Sequence, residues 1–325
     1  VSETLYALRD VTVEYATRSG TVRAVDHVGF EIHKGEILGL VGESGCGKST
    51  LGKAMMRMIQ APGRITGGEL WFEGRDLMTL SEKEMRQVRG GRIGMVFQDP
   101  MTSLNPVQRI IDHLVETIQT HEPGTSRQAA RDRAAQLVER LGIRRERIDD
   151  YPHQFSGGMR QRIMIALALA LRASLVIADE PTTSLDVIVE AKFLDLLREL
   201  RDEFDLTILL ITHNIGVVAE VADRVAVMYA GRMAELGDAV GVFGSPRHPY
   251  TRGLLASVPN IDLESGDLYL MPGSPPSLLT PPPGCAFHPR CPDAMPICSR
   301  QHPPFARHDD RETACWLYEE AVVDG

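Results

Sequence analysis

No apolar stretch in this sequence is long enough to cross a bilayer. The most apolar one, residues 163–178, is interrupted by Arg172 and Ser174 and falls short of the about 20 residues that a spanning helix needs. Any membrane role must therefore come through a partner. Net positive charge is lacking as well: 35 basic against 44 acidic side chains leave a formal charge of −9, which argues against a general nucleic-acid binder. No internal repeat is found, and no secretory-type segment opens the sequence, so the expectation is a cytoplasmic protein. Cysteine is missing between Cys46 and Cys285, then crowds the end of the chain as Cys285, Cys291, Cys298 and Cys315. In a cytosolic protein such clustering points to metal before disulfide.

Among what is present, residues 42–50 say most: Gly42, Glu43, Ser44, Gly45, Cys46, Gly47, Lys48, Ser49 and Thr50. They follow an apolar run at 37–41 and precede a segment, 51–59, that reads as a helix. A buried strand, a glycine-rich turn and a helix start together make the P-loop pattern G-x-x-x-x-G-K-[ST] in its proper setting. Glycines let the backbone wrap a phosphate chain with N–H groups pointing inward, and the helix dipole adds positive potential. Lys48 can reach the β- and γ-phosphates, and the Ser49 hydroxyl can ligate Mg²⁺. The pattern predicts a nucleoside triphosphate site.

With 325 residues there is room for one large α/β domain and a smaller one. The first thirty positions predict four short strands, at 5–8, 11–15, 22–25 and 28–32. Further buried strands are expected at 92–98, 175–178, 207–211 and 224–228, alternating with helices, which implies a largely parallel, helix-covered sheet. The stretch from about 99 to 172 reads as helical. Within it Thr125 and Ser126 can cap a helix that carries Ala130, Ala134, Leu137, Val138 and Leu141 and stops near Gly142. Residues 187–204 form an amphipathic pattern with Phe193, Leu197, Leu200 and Phe204 on one face. Six prolines at 271–283 argue for an extended linker. The tail beyond it has so little periodicity that a metal would be needed to hold it together.

Two further motifs carry chemistry. Residues 175–180 are an apolar strand ending in Asp179, which can hold Mg²⁺ through water, and Glu180, which is placed to polarise a water against the γ-phosphate. Upstream, Phe155-Ser156-Gly157-Gly158-Met159-Arg160-Gln161 sets a serine and two glycines at a helix start, a second anion-binding N-terminus.

Taken in order, these motifs resemble the ATP-binding cassette (ABC) family, the motor subunits of ABC transporters, over nearly the whole chain. The resemblance implies an α/β P-loop ABC ATPase core at 1–240: a parallel sheet, an N-terminal antiparallel β-subdomain and an inserted helical subdomain at about 99–172. It makes Ser156, Gly157 and Gly158 the signature motif, and Gln98 the Q-loop glutamine that senses Mg²⁺ and couples to the membrane partner. Ser184-Leu185-Asp186 matches the D-loop, His213 the switch histidine at the γ-phosphate, and Tyr15 the aromatic residue stacked on adenine. Two cassettes would then face each other head to tail, each ATP lying between one P-loop and the other's signature. Closure follows ATP binding, and hydrolysis with Glu180 as base lets the dimer open.

Two stretches narrow the resemblance. Residues 97–106 (Phe-Gln-Asp-Pro-Met-Thr-Ser-Leu-Asn-Pro) and 247–255, with His248-Pro249-Tyr250, are similar to ATPases that drive oligopeptide and dipeptide import. That implies an extension at 241–325, two membrane permeases, a substrate-binding protein and a second cassette subunit, often a paralogue. The place of work would be the cytoplasmic face of the membrane, with contact through the permeases and no nucleic acid. Related systems carry nickel, glutathione or oligosaccharides; a soluble ABC ATPase without a transport role is the remaining alternative. The tail cysteines are spaced C-x5-C-x6-C-x16-C, and four thiolates can take Zn²⁺ or a 4Fe–4S cluster, between which spacing does not choose. Resemblance to peptide-importer subunits implies the 4Fe–4S cluster, with zinc as the alternative, at 285–315.

Overall fold

The computed structural model describes residues 3–99, 103–183, 185–257 and 271–319. In it the alternating residues of the first thirty positions build two long strands, Thr4–Thr17 and Gly20–His33, where four short ones were expected. The predicted breaks coincide with Asp10 and His27, which take left-handed φ of 54° and 55° and whose side chains meet at 2.6 Å. The register of Thr4–Thr17 against Gly63–Phe72 shifts between Arg9 and Thr12, so a bulge absorbs the irregular residues and the ladder runs on. With Arg75–Asp76 these strands form a four-stranded sheet.

The chain divides into two units. One is made mainly of Thr79–Leu210 with His33–Glu36; the other of Thr4–Ile32, Ile37–Met78 and the chain from Ile211. In the first, Ile93–Val96 pairs in parallel with Leu175–Asp179, and Thr207–Thr212 lies next in order. Helices Ile110–His121, Arg127–Arg140 and Gly157–Leu169 fill the stretch read as helical. Ser126 caps the second of these through the Ala129 N–H, and Ala130, Ala134 and Val138 are buried on its inner face. The helix Val187–Phe204 has the predicted bounds and stops where Asp205 turns left-handed, φ 50°.

In the second unit Ile37–Val41, buried at every residue, pairs in parallel with Arg224–Tyr229. The next strand, Arg232–Asp238, runs antiparallel to Arg224–Tyr229, and Arg311–Thr313 runs antiparallel to Arg232–Asp238. The sheet is thus mixed, not largely parallel. The cause is local: Ala230 and Gly231 both take positive φ, 46° and 83°, in a two-residue connection that can only fold the chain back on itself. The helix after the P-loop strand, Lys48–Met55, is shorter than expected because Arg57 turns left-handed (φ 49°) and the Arg57 and Met58 N–H groups cap the carbonyls of Ala54 and Lys53.

The tail overturns the expectation of a metal. Among the described residues no group of three or more histidine, cysteine, aspartate or glutamate side chains is arranged to hold a metal ion, so neither a 4Fe–4S cluster nor zinc is formed by Cys285, Cys291, Cys298 and Cys315. All four are free thiols, and burial, with the neighbouring cysteines adding to it, pushes Cys285 up to about 11 and Cys315 up to about 12. Packing does the work assigned to metal. Ala306–His308 and Arg311–Thr313 add a hairpin to the sheet edge. Phe287, 2% exposed, sits 5.2 Å from the Tyr229 ring and 5.4 Å from Tyr250. Glu235, fully buried, accepts the Arg247 and His248 N–H groups at 2.9 and 3.0 Å, while Arg311 donates to the Gly241 and Ser245 carbonyls, each at 2.6 Å.

His248 makes this anchorage acid-sensitive. Its Nδ1 accepts the Tyr250 N–H at 3.0 Å, and burial, helped by Arg252 and His302, lowers its pKa to about 3. The unfolded chain takes up this proton below about 6.5 and the folded chain resists it, so stability is complete above that pH and falls as pH drops toward 3. The loss expected from this group is up to about 1.4 kcal/mol per pH unit. Thermal unfolding followed from pH 7.5 to 5 should show a shallower decline in His248→Gln than in the parent; equal slopes would remove His248 as the cause.

Candidate nucleotide site

The loop 42–50 owes its shape to close backbone approaches that only glycine permits. A Cβ on Gly42 would lie 2.2 Å from the Met228 carbonyl oxygen, and one on Gly47 would lie 2.1 Å from that of Ala24, with Gly47 also at φ 110°. Gly47 is the N-cap of Lys48–Met55; it has no side chain to cap with, and no acidic residue occupies the first turn. The helix dipole therefore sets uncompensated positive potential at the loop. Lys48 is 5% exposed, and its ammonium donates to the carbonyls of Gly42 at 2.7 Å and Glu43 at 3.2 Å. Ser44 and Gly45 are exposed at the loop's crest, and Ser49 and Thr50 are half-buried in the first helical turn. Cys46, 5% exposed, has its thiol pKa raised by burial, so the loop's own cysteine is protonated.

Tyr15 and His213 belong to the same unit as the loop. Tyr15 is half-buried on Thr4–Thr17, its ring over Gly63, where a Cβ would come within 2.5 Å of the ring. His213 is exposed just past Thr207–Thr212, beside Asn214, which caps the next helix by accepting the Gly216 N–H at 3.0 Å.

The other sequence-predicted residues lie in the first unit. Asp179 and Glu180, 3% and 8% exposed, stand at the end of Leu175–Asp179. Glu180 is held at φ 50°, a left-handed setting that a non-glycine residue occupies only at a cost, and its carboxylate accepts the Thr183 hydroxyl at 3.0 Å. Gln98 is exposed, two residues beyond Ile93–Val96. Ser156, exposed, is the N-cap of Gly157–Leu169 but its side chain makes no capping bond, so that helix start is open too. Gly158 is required by Val189, whose Cγ1 would be 2.7 Å from a Cβ there. Asp186 caps Val187–Phe204 by accepting the Val189 N–H at 2.9 Å. Ser184 and residues 100–102 of the predicted motifs lie outside the described residues.

Two participants were not picked out by sequence reasoning. Gln161, fully buried, donates from Nε2 to the carbonyl of Pro181, the residue after Glu180, and so ties the signature helix to the acidic turn. Its place at the end of the Ser156–Gly158 motif was the available signal. Glu43 accepts from Arg290 across the second unit, and nothing local announces that pair.

The donor types suit a magnesium nucleotide. Hydroxyl, carboxylate and amide oxygens at Ser49, Asp179 and Gln98 are hard ligands of the kind Mg²⁺ takes, with no soft ligand among them. The family description "ABC transporter" matches residues 25–183, and "Oligopeptide/dipeptide transporter, C-terminal region" matches residues 234–298. The chain is 47% identical to the dipeptide transport ATP-binding protein DppD of Bacillus subtilis, over 99% of this chain and 98% of that protein. It is 49% identical to the oligopeptide transport ATP-binding protein OppD of the same organism, over 96% and 88% of the two chains. Among solved structures, the dimeric post-hydrolysis state of the ATP-binding cassette MJ0796 bound to ADP and Pi matches with a TM-score of 0.66 and 27% identity, covering 72% of this chain and 99% of that one.

Proposed function

Since this chain belongs to the ABC transporter family, in its oligopeptide and dipeptide ATP-binding branch, we propose that it is the ATP-hydrolysing motor of a peptide importer. The observation that carries this is the loop 42–50, set between a buried strand and an uncapped helix start, in a chain similar over nearly its whole length to peptide-transport ATP-binding proteins. Among the described residues no helix is long and apolar enough to cross a membrane. Coupling to transport through permease partners, with peripheral association at the membrane, is part of this proposal and is supported by the likeness to peptide-transport ATP-binding proteins.

In this reading Tyr15 stacks on adenine, and the loop N–H groups with Lys48 bind and orient the phosphates. Ser49, Asp179 and Gln98 would hold Mg²⁺, which when bound neutralises phosphate charge. Glu180 accepts a proton from the attacking water, while His213 hydrogen-bonds the γ-phosphate. Ser156, Gly157, Gly158 and Asp186 serve the nucleotide of a second cassette, their open helix start meeting its γ-phosphate as in a closed head-to-tail dimer. Loss of that phosphate removes the shared anion and lets the pair separate.

Reconstitution tests the whole reading. The chain, a second cassette and two permeases in proteoliposomes should take up labelled dipeptide only with ATP and the substrate-binding protein, and hydrolysis should rise about tenfold or more when the loaded binding protein docks. ATP hydrolysis without peptide entry, under conditions where nickel or oligosaccharide enters, would reject peptide as the cargo.

A further inference from the structure

The P-loop contains an acidic residue, Glu43, at the place where a triphosphate is to bind. A free carboxylate there repels the ligand. The structure disposes of that charge from a distance of 247 residues along the chain. Arg290 grips Glu43 with both ends of its guanidinium, Nη1 to Oε2 at 2.7 Å and Nη2 to Oε1 at 2.9 Å. Its Nε donates to the Pro272 carbonyl at 2.9 Å and Nη1 also to the Tyr229 hydroxyl at 3.2 Å. The guanidinium lies 5.9 Å from the ring centres of both Tyr229 and Phe287. Only 6% of the Arg290 side chain is exposed, against 23% of Glu43, so the pair is shielded from water on the arginine side. The same C-terminal segment also holds the backbone of Glu43, whose N–H donates to the fully buried Tyr250 hydroxyl at 2.8 Å.

We propose that Arg290 is a positioning residue for nucleotide binding: the C-terminal segment neutralises and braces Glu43, so that the affinity of the P-loop for a nucleoside triphosphate depends on this segment being docked. The proposal rests on the nucleotide reading of the loop and extends it to residues outside the loop. Two features make it more than a structural tie. The bond is bidentate and charge-assisted, which fixes both the direction and the charge of Glu43. Moreover, side chain and backbone of one P-loop residue are held by two separate parts of the extension, Arg290 and Tyr250, so undocking would release both together. By linkage, bound ATP must in turn favour the docked segment.

The experiment is a charge cycle on the full chain, read by ATP binding and by steady-state hydrolysis. Arg290→Met should weaken ATP binding about five- to tenfold and raise KM to match, with kcat within about twofold. The loss should shrink in about 0.5 M KCl, where screening is strong. The double variant Glu43→Gln with Arg290→Met carries no unpaired charge and should return affinity to within about twofold of the parent. Glu43→Gln alone should bind ATP at least as tightly as the parent, a sign that keeps the test decisive even where Arg290→Met folds poorly. A merely structural tie predicts the reverse: lower melting temperatures for all three variants, no rescue in the double variant and no dependence on salt. Parent protein that fails to bind ATP would overturn the nucleotide reading itself. Parent protein that binds normally, with Arg290→Met unchanged or the double variant unrescued, would overturn the brace alone.

Discussion

Glu180→Gln removes ATP turnover, by about 10²-fold or more, while ATP still binds. The substitution keeps the shape of the side chain and replaces a proton acceptor by an amide that cannot take up a proton at neutral pH. The surroundings tolerate the exchange: the Thr183 hydroxyl that donates to the carboxylate can donate to the amide oxygen equally well, and the left-handed turn at Glu180 is a backbone property. The variant should therefore fold with an unchanged melting temperature, bind ATP and accumulate as a closed dimer, seen as a doubling of mass on a sizing column in ATP. Phosphate release measured at saturating ATP checks the first claim. Hydrolysis at the parent rate would remove Glu180 from the role of base.

Lys48→Met is the second large effect, and it acts at binding. In the structure the ammonium bridges the Gly42 and Glu43 carbonyls, 2.7 and 3.2 Å away, within the loop proposed to bind the phosphates. Charge-assisted bonds to phosphate are worth about 2–3 kcal/mol, so affinity should fall about 30- to 150-fold, and turnover at cellular ATP with it. The stem of Lys48 is buried, and methionine fills the same volume, which limits the cost to the fold. The check is calorimetric titration with ATP, paired with the rise in melting temperature that ATP causes in the parent. Retained affinity in Lys48→Met would mean that the loop does not bind nucleotide through this side chain.

The site was legible wherever its chemistry is local. Strand, glycine turn and helix start at 37–55 are contiguous, and the backbone approaches at Gly42 and Gly47 show why those positions admit no side chain. The acidic strand end at Asp179 and Glu180 and the open helix start at Ser156 were readable for the same reason: each depends on a handful of neighbouring residues. Helix Val187–Phe204 followed from periodicity alone.

Misreadings arose where distant segments meet. Four short strands became two long ones because Asp10 and His27 turn left-handed beside each other, and alternation in a single strand does not report its partner. The tail cysteines suggested a metal because the segment has no periodic core of its own; its core is borrowed, from Tyr229, Tyr250 and the edge strand Arg232–Asp238. By itself, then, the sequence determined a glycine-rich strand-to-helix loop, an acidic strand end and a second helix start without a side-chain cap, since short-range geometry and backbone freedom decide those. Tertiary structure alone decided that the sheet is mixed, that packing and not metal anchors the tail, and that Arg290 answers the charge of Glu43. Pairings across 247 residues are set by which surfaces close on each other, and no local pattern records that.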